Sequence, residues 1–152
     1  MEGNIRGAAL AFLRAQELGV LTTVSAEGDP RARLVYYAVG DDFSVYFVTH
    51  AQTRKALDLA HNPRASFVVA DEAVPQTAQV EGTVTNLTDQ TTVDPMLATL
   101  TERLLSNTVY GAPLMRFDPD TLLYFRLIPH FVKWGDFTQG HTTDEVIATV
   151  PL

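Results

Sequence analysis

The sequence predicts a mainly β protein, a small antiparallel barrel with a few short helices. Segments rich in β-branched and aromatic residues follow one another with little more than turns between them. The regular alternation of strand and helix that a parallel, doubly wound sheet requires is missing. The 152 residues, 46% of them hydrophobic, suffice for one domain over residues 1–152 with a buried core.

Three strands are predicted after an amphipathic N-terminal helix. The helix is marked by apolar residues at helical spacing, with Gly19 as a stop: Ile5, Ala8, Ala9, Phe12 and Leu13. The strands are predicted over Gly19–Ser25, Arg33–Val39 and Phe43–Thr49, with the last two joined by a tight turn. Since these two strands are apolar on both faces, we predict that both are buried on two sides. Their outer faces must then meet a helix or a partner subunit, and a homodimer is the simplest expectation.

A short helix with two cations in its first turn is the most informative segment. Thr53 is a good N-cap, the helix is predicted over Arg54–His61, and Asn62-Pro63 is a plausible stop. The N-terminus of a helix already carries partial positive charge, so Arg54 and Lys55 are unfavourable there unless an anion binds. That anion is most simply a phosphate. The alternative is a pair of solvated surface cations.

The distribution of charge favours the phosphate. The chain has 11 Lys and Arg against 18 Asp and Glu, a net charge of −7. Residues 31–64 nevertheless contain five cations against three acids, namely Arg31, Arg33, Arg54, Lys55 and Arg64 against Asp41, Asp42 and Asp58. A nucleic-acid-binding protein is expected to present a broad basic face, so a small phosphorylated ligand fits this local cluster better.

The second half of the chain is predicted to add strands and one helix. Strands are predicted over Ala65–Ala70 and Ala78–Asn86, the latter with one wet face, and a helix over Pro95–Leu105 with Val93, Leu97, Leu100 and Leu104 on its apolar side. A loop is predicted over Asn107–Asp120, then two extended pieces, Thr121–Ile128 and Phe131–Trp134, around Pro129, and a polar tail from Gly135.

These elements carry a family resemblance over most of the chain. The segments concerned are Arg33–Tyr37, Val48-Thr49, Thr53-Arg54-Lys55, Asn62-Pro63-Arg64 and Gln79–Gly82. In order and spacing they resemble the pyridoxamine 5'-phosphate oxidase-like, FMN-binding split-barrel proteins. The resemblance implies a six-stranded antiparallel split β-barrel of Greek-key type, a homodimer, and one FMN at each end of the dimer interface.

The resemblance also implies a set of cofactor-binding residues. Arg33, Arg54 and Lys55 would hold the FMN phosphate, together with the hydroxyl of Thr53 and the helix N–H groups. The flavin would be lined by Leu34, by the backbone of Val35, Tyr36 and Tyr37, and by Val48 and Thr49. Thr77 stands where the family has a glutamine that contacts the flavin. Trp134 would approach the ring from the partner subunit.

Departures from the family pattern argue against oxidation of pyridoxamine phosphate. Ala38 stands where those enzymes have a lysine for the substrate phosphate, and no Arg or Lys follows Trp134. The nearest histidine in that tail, His141, is poorly placed. We therefore expect an FMN oxidoreductase that passes hydride or electrons between a reduced nicotinamide and a small acceptor. The alternative is a non-catalytic flavin, deazaflavin or haem-binding protein that serves as sensor or carrier.

Other chemistries have little support in the sequence. There is no cysteine, so a disulfide or thiolate metal site is excluded, and the four histidines show no metal-ligand spacing. No serine lies in a glycine elbow. The apolar N-terminal segment contains Arg14 and Glu17, so it is typical of neither a signal peptide nor a membrane span, and we expect a soluble cytoplasmic protein.

Overall fold

A single antiparallel sheet of eight strands organises the protein. The computed structural model describes residues 2–90, 94–106, 118–140 and 146–152. The strands of the described chain are β1 (Leu18–Val24), β2 (Pro30–Tyr36), β3 (Ala38–Val39), β4 (Val45–His50), β5 (Arg64–Asp71), β6 (Gln76–Asn86), β7 (Leu122–Asp136) and β8 (Ile147–Thr149). Its helices are α1 (Glu2–Ala15), α2 (Arg54–His61) and α3 (Pro95–Ser106).

The order of the strands closes the sheet into a split barrel. The order is β2-β1-β5-β6-β7-β4-β3, with β8 paired to β7. The two ends of this order, β2 and β3, are neighbours in the chain, separated by Tyr37 alone. One interrupted strand therefore pairs with β1 on one side and with β4 on the other. If β2 and β3 are counted as one strand, six main strands form the barrel, and β8 is an addition in the tail that was predicted to be polar.

Tyr37 interrupts the strand because its polar groups bond outside the sheet. Its N–H donates to the carbonyl of Glu17 at 3.4 Å, and its carbonyl accepts from the Arg103 guanidinium on α3 at 3.2 Å. Its hydroxyl donates to the carbonyl of Leu13, and its buried ring meets Phe67 edge-on at 4.9 Å. The prediction of one uninterrupted strand over Arg33–Val39 is therefore wrong.

Burial differs between the two strands that were predicted to be covered on both faces. In β4 the residues from Val45 to Thr49 are all buried, as predicted. In β2 only Val35 is buried, and the side chain of Leu34 is 66% exposed. In β2, cover of the outer face by a partner subunit therefore stays a prediction.

Two apolar clusters lie on opposite faces of β4. Val45 and Phe47 point into the barrel interior, which α1 closes with Phe12 at 5.2 Å from the ring of Trp134. Tyr46 and Val48 point outward into a second cluster. That cluster is covered by α3 through the predicted positions Leu97, Leu100 and Leu104, while Val93 lies outside the described residues.

The long strand β7 is continuous where two extended pieces were predicted. Pro129 does not break it, because the β6–β7 pairing shifts register between Glu81 and Gly82 and then places Gly82 opposite Pro129. Such a bulge tolerates a residue that has no N–H to donate. The predicted loop over 107–120 lies mostly outside the described residues, apart from a short 3₁₀ turn over Pro119–Thr121. No helix in the described part of the chain is both long enough and apolar enough to span a membrane.

The bulge gives a test of the fold. A Cβ atom at Gly82 would lie 2.0 Å from the carbonyl oxygen of Ile128. We expect Gly82→Ala to lower the free energy of unfolding by about 3 kcal/mol, since overpacking against backbone must move a strand. Gly7→Ala is the control, because nothing lies within 4 Å of that position in α1, and it should raise stability by about 0.5–1 kcal/mol. Chemical denaturation measures both, and equal effects of the two substitutions would contradict the bulge.

Candidate functional site

The N-terminus of α2 forms one wall of the candidate site. The helix begins at Arg54 and ends at His61, as predicted, and contains no acidic residue in its first turn. The hydroxyl of Thr53 accepts a hydrogen bond from the N–H of Ala56 at 3.4 Å and lies 3.0 Å from the hydroxyl of Thr49 at the end of β4. This contact fixes the helix start against the sheet. The free N–H groups of the first turn and two cations thus share one end of α2.

A groove lined by cations lies where α2 meets β2. Arg31 and Arg33 are two residues apart on β2, so their side chains leave the same face of the strand. Together with Ala32 they line an open groove whose other wall is Thr53, Arg54 and Lys55. The structure therefore brings together all four residues that were predicted to hold a phosphate, and adds Arg31.

One buried carboxylate underlies the groove. The side chain of Asp58 on α2 is 4% exposed. Its Oδ1 accepts from Arg31 Nη1 at 3.0 Å, and its Oδ2 accepts from Thr23 Oγ1 at 2.8 Å. Arg33 Nη2 lies 3.5 Å from the same Oδ2, and Arg33 Nη1 donates to Thr23 Oγ1 at 2.5 Å. This network of four side chains joins α2, β1 and β2.

Sequence reasoning missed Asp58 as part of the site. The side chain of Leu57 is 63% exposed, whereas Asp58 is buried with Ala56 and Leu59. The charge pattern contained a usable signal. Asp41 and Asp42 lie in a turn, which leaves Asp58 as the remaining carboxylate of residues 31–64 that can meet the arginines.

An apolar cleft lies beside the groove. It is lined by Leu18, Leu34, Val35, Tyr36, Val48, Thr49 and Lys55 and has a volume of about 260 Å³. Lys55 lines both the cleft and the groove. The two spaces therefore adjoin at Lys55, the groove with a cationic lining and the cleft with a mainly apolar one. Five of the predicted flavin-lining residues lie in the cleft, and Leu18 is an addition that the sequence did not indicate.

Three predicted site residues lie away from the groove and the cleft. Tyr37 does not line the cleft, and its ring is buried in the barrel interior. Thr77 lies on β6 opposite Gly135. Trp134 is 6% exposed and packs on Phe12 in the core of its own chain. Its predicted role was across a dimer interface, so that role stays a prediction.

The groove lowers the pKa values of two of its cations, Lys55 and Arg33. Partial burial lowers the pKa of the Lys55 ammonium, and the positive charge of Arg33 lowers it further. Burial also lowers the pKa of Arg33, with Asp58 acting in the opposite direction. Both shifts mean that water solvates these two cationic side chains poorly and that other cationic side chains lie close to them. A bound anion would relieve both effects.

A cation that could meet a second phosphate, Arg126, is engaged elsewhere. Arg126 on β7 forms an ion pair with Asp42 at 2.6 Å and donates to Ser44 Oγ at 3.0 Å. Ala38 is 1% exposed and lies in the outer cluster that α3 covers. Arg116 and His141 lie outside the described residues. Within the described ranges, no three His, Asp or Glu side chains gather as a metal site would require.

Comparison with known proteins places this arrangement in a family. A family model described as pyridoxamine 5'-phosphate oxidase matches residues 5–126, which is most of the chain. The chain belongs to the pyridoxamine 5'-phosphate oxidase family. The family resemblance inferred from the sequence is thus confirmed.

Curated relatives match over a segment only. A pyridoxine/pyridoxamine 5'-phosphate oxidase of Bordetella pertussis is 41% identical over 64 residues, which are 42% of this chain and 30% of the relative. The matched segment thus spans about a third of the length of such a relative.

Solved structures share the fold at low sequence identity. An F420 reductase has a TM-score of 0.65 and 19% identity, with 80% of this chain and 93% of that chain covered. A haem storage protein from Vibrio cholerae has a TM-score of 0.61 and 15% identity, with coverage of 83% and 90%. Together with the closed strand order, these similarities confirm the mainly β, antiparallel split barrel.

The lowered pKa of Lys55 predicts how phosphate binding depends on pH. At a pH below the pKa that Lys55 has without ligand, its side chain is charged. At a pH above that pKa, Lys55 must take up a proton before it can bind the phosphate as a cation. The ratio of FMN affinity to riboflavin affinity should therefore fall as pH rises toward 10, earlier than for an ordinary lysine. Fluorescence titrations with both ligands from pH 7 to 10 measure this ratio, and riboflavin corrects for ionisation of the ring. Lys55→Arg should flatten the profile, because arginine keeps its charge. A flat profile in the unmodified protein would contradict the assignment.

Proposed function

We propose that the protein binds FMN, with its phosphate in the cationic groove and its isoalloxazine ring in the apolar cleft. The observation that carries this proposal is that the two spaces adjoin at Lys55, which lines both. A ligand that fits must have an anionic end and a flat apolar end, separated by a short linker. FMN has this form.

The charges of the groove match a phosphate dianion. Arg31, Arg33, Arg54 and Lys55 supply four positive charges, and Asp58 removes one. The N–H groups at the start of α2 add donors that carry no countercharge. Charge-assisted hydrogen bonds of this kind are about twice as strong as neutral ones.

We further propose that the FMN-loaded protein is an oxidoreductase acting on reduced nicotinamide and a small acceptor in the cytoplasm. When bound, FMN would supply the capacity to accept and release hydride or single electrons. The chain's own residues would hold the phosphate, orient the ring between β2 and β4, and keep water from its buried side. Val35, Val48 and Thr49 are buried and form that side of the cleft. Hydride transfer itself requires no protein acid or base.

Haem and deazaflavin are the competing ligands, since structural neighbours include a haem storage protein and an F420 reductase. Among the described lining residues of the cleft there is no His, Cys or Met, and Tyr36 is the one side chain of a type that ligates haem iron. The lining therefore favours a flavin-type ring over haem. Mass identification of the ligand that co-purifies with the protein distinguishes the three.

A homodimer is part of the proposal. Leu34 lines the cleft and is 66% exposed, and the neighbouring Leu18 is 37% exposed. An exposed apolar rim around a binding cleft favours cover by a second copy, because two-fold dimers are the commonest oligomers. The proposal requires sedimentation at about twice the mass of 16.7 kDa.

The proposal predicts a strong preference for FMN over riboflavin. Loss of the phosphate removes charge-assisted hydrogen bonds worth about 1.5–3 kcal/mol each, so riboflavin should bind at least about tenfold more weakly. Arg54→Ala should reduce this preference and leave the thermal midpoint nearly unchanged. Arg64→Ala is the matched control, since Arg64 is an exposed cation on β5 outside the groove. Equal affinity for the two ligands in the unmodified protein would overturn the phosphate assignment.

The second prediction concerns the reaction. Stopped-flow absorbance should show reduction of bound FMN by NADH or NADPH, whereas pyridoxamine phosphate or pyridoxine phosphate with oxygen should give no efficient formation of pyridoxal phosphate. The reason is electrostatic, because a second phosphate near the first needs further cations. Arg126 is paired with Asp42, and Ala38 offers no charge. Turnover of about 1 s⁻¹ or faster with these substrates, in the usual range for enzymes, would show that this reading is wrong.

A further inference from the structure

We propose that Asp58 is a positioning residue that fixes Arg31 and Arg33 for recognition of the phosphate. The inference rests on the proposed function, because it names what prepares the cationic groove for FMN. Asp58 itself does not line the groove; it lies behind the two arginines that do.

The geometry of the network constrains both arginines. Arg33 contacts Asp58 Oδ2 through Nη2 and Thr23 Oγ1 through Nη1, and Thr23 donates to the same Oδ2. These three contacts close a triangle, so the plane of the Arg33 guanidinium is fixed. Arg31 is held by the other carboxylate oxygen at 3.0 Å. One carboxylate thus sets the positions of two neighbouring guanidinium groups.

Burial makes this arrangement specific. Asp58 is 4% exposed and Thr23 is fully buried, whereas the side chains of Arg31 and Arg33 are 27% and 21% exposed. The buried ends of the guanidinium groups are used in the network, and their remaining N–H groups are left for the groove. A guanidinium has five donors in a rigid plane, so fixing one edge orients the other.

The other two cations of the groove are held differently. Among the described residues, no carboxylate forms an ion pair with Arg54 or Lys55. They depend on the start of α2 for their position. Asp58 lies on the same helix, so it also ties the β2 arginines to the helix that carries the other two cations. Asp58 therefore helps to set the spacing between the two walls of the groove, together with the contact between Thr53 and Thr49.

A charge effect and a positioning effect of Asp58 predict opposite results. If the carboxylate acted only as a negative charge near the phosphate, its removal would strengthen FMN binding. If it positions the arginines, its removal weakens binding, because misplaced guanidinium groups lose directional hydrogen bonds to the phosphate. Directional charge-assisted bonds outweigh a charge effect across a solvent-open groove, where water and salt screen it.

The test is Asp58→Asn, which keeps the shape of the side chain and removes its charge. FMN and riboflavin are titrated into the unmodified protein and the variant by fluorescence. We expect the dissociation constant for FMN to rise about tenfold, the loss of one charge-assisted bond, while that for riboflavin changes less than about twofold. Thr23→Val keeps Asp58 charged and removes the bridging hydroxyl, and it should weaken FMN binding in the same direction by a smaller factor.

Each outcome bears on a different claim. No preference for FMN in the unmodified protein overturns the proposed function and this inference with it. A clear preference that Asp58→Asn leaves unchanged, or that it increases, overturns the inference alone. An equal loss of both ligands means that Asp58 supports the fold of the site as a whole, which also overturns it. If Asp58→Asn does not fold, Thr23→Val decides, and an unchanged FMN to riboflavin ratio in that variant refutes the proposal.

Discussion

The diversion of Tyr37 from the sheet is the constraint on which the rest of the structure depends. Its N–H, its carbonyl and its hydroxyl all bond to helices or to the chain after α1, so one strand is released from β1 and passes to β4. Before the break, the strand carries Arg31 and Arg33 beside α2. After the break, it carries Ala38 beneath α3. Barrel closure, the cationic groove and the covered outer cluster therefore share one cause.

Local signals in the sequence predicted much of the site. The bounds of α2 follow from a capping threonine and a terminal Asn-Pro pair, both of which act within a few residues. The cationic groove followed from an electrostatic argument about Arg54 and Lys55, and the neighbouring strand supplied Arg33. The alternation along β6 likewise fixed which of its faces is wet. Such features need no knowledge of distant partners.

What the sequence could not predict depends on contacts between distant segments. The break at Tyr37 requires Glu17 and Arg103, which are far from it along the chain. The continuity of β7 through Pro129 depends on a bulge in β7 itself, where His130 is the extra residue opposite the step from Glu81 to Gly82. In the sequence, Asp58 has the features of an ordinary surface acid on a short helix. Its contacts with Arg31 and Arg33 exist only when β2 packs beside that helix. In each case a polar group obtains its partner only in the tertiary structure, and local propensity carries no information about that partner.

The burial of Ala38 has a consequence for how activities diverge in this family. In this chain the position is sealed by a helix whose leucines pack on the same outer cluster. A lysine introduced there would have to leave its ammonium in an apolar layer or displace α3, and both are costly. A gain of substrate-phosphate binding is therefore separated from this protein by a rearrangement of a whole element. Packing around Ala38 thus restricts which side chains position 38 can carry.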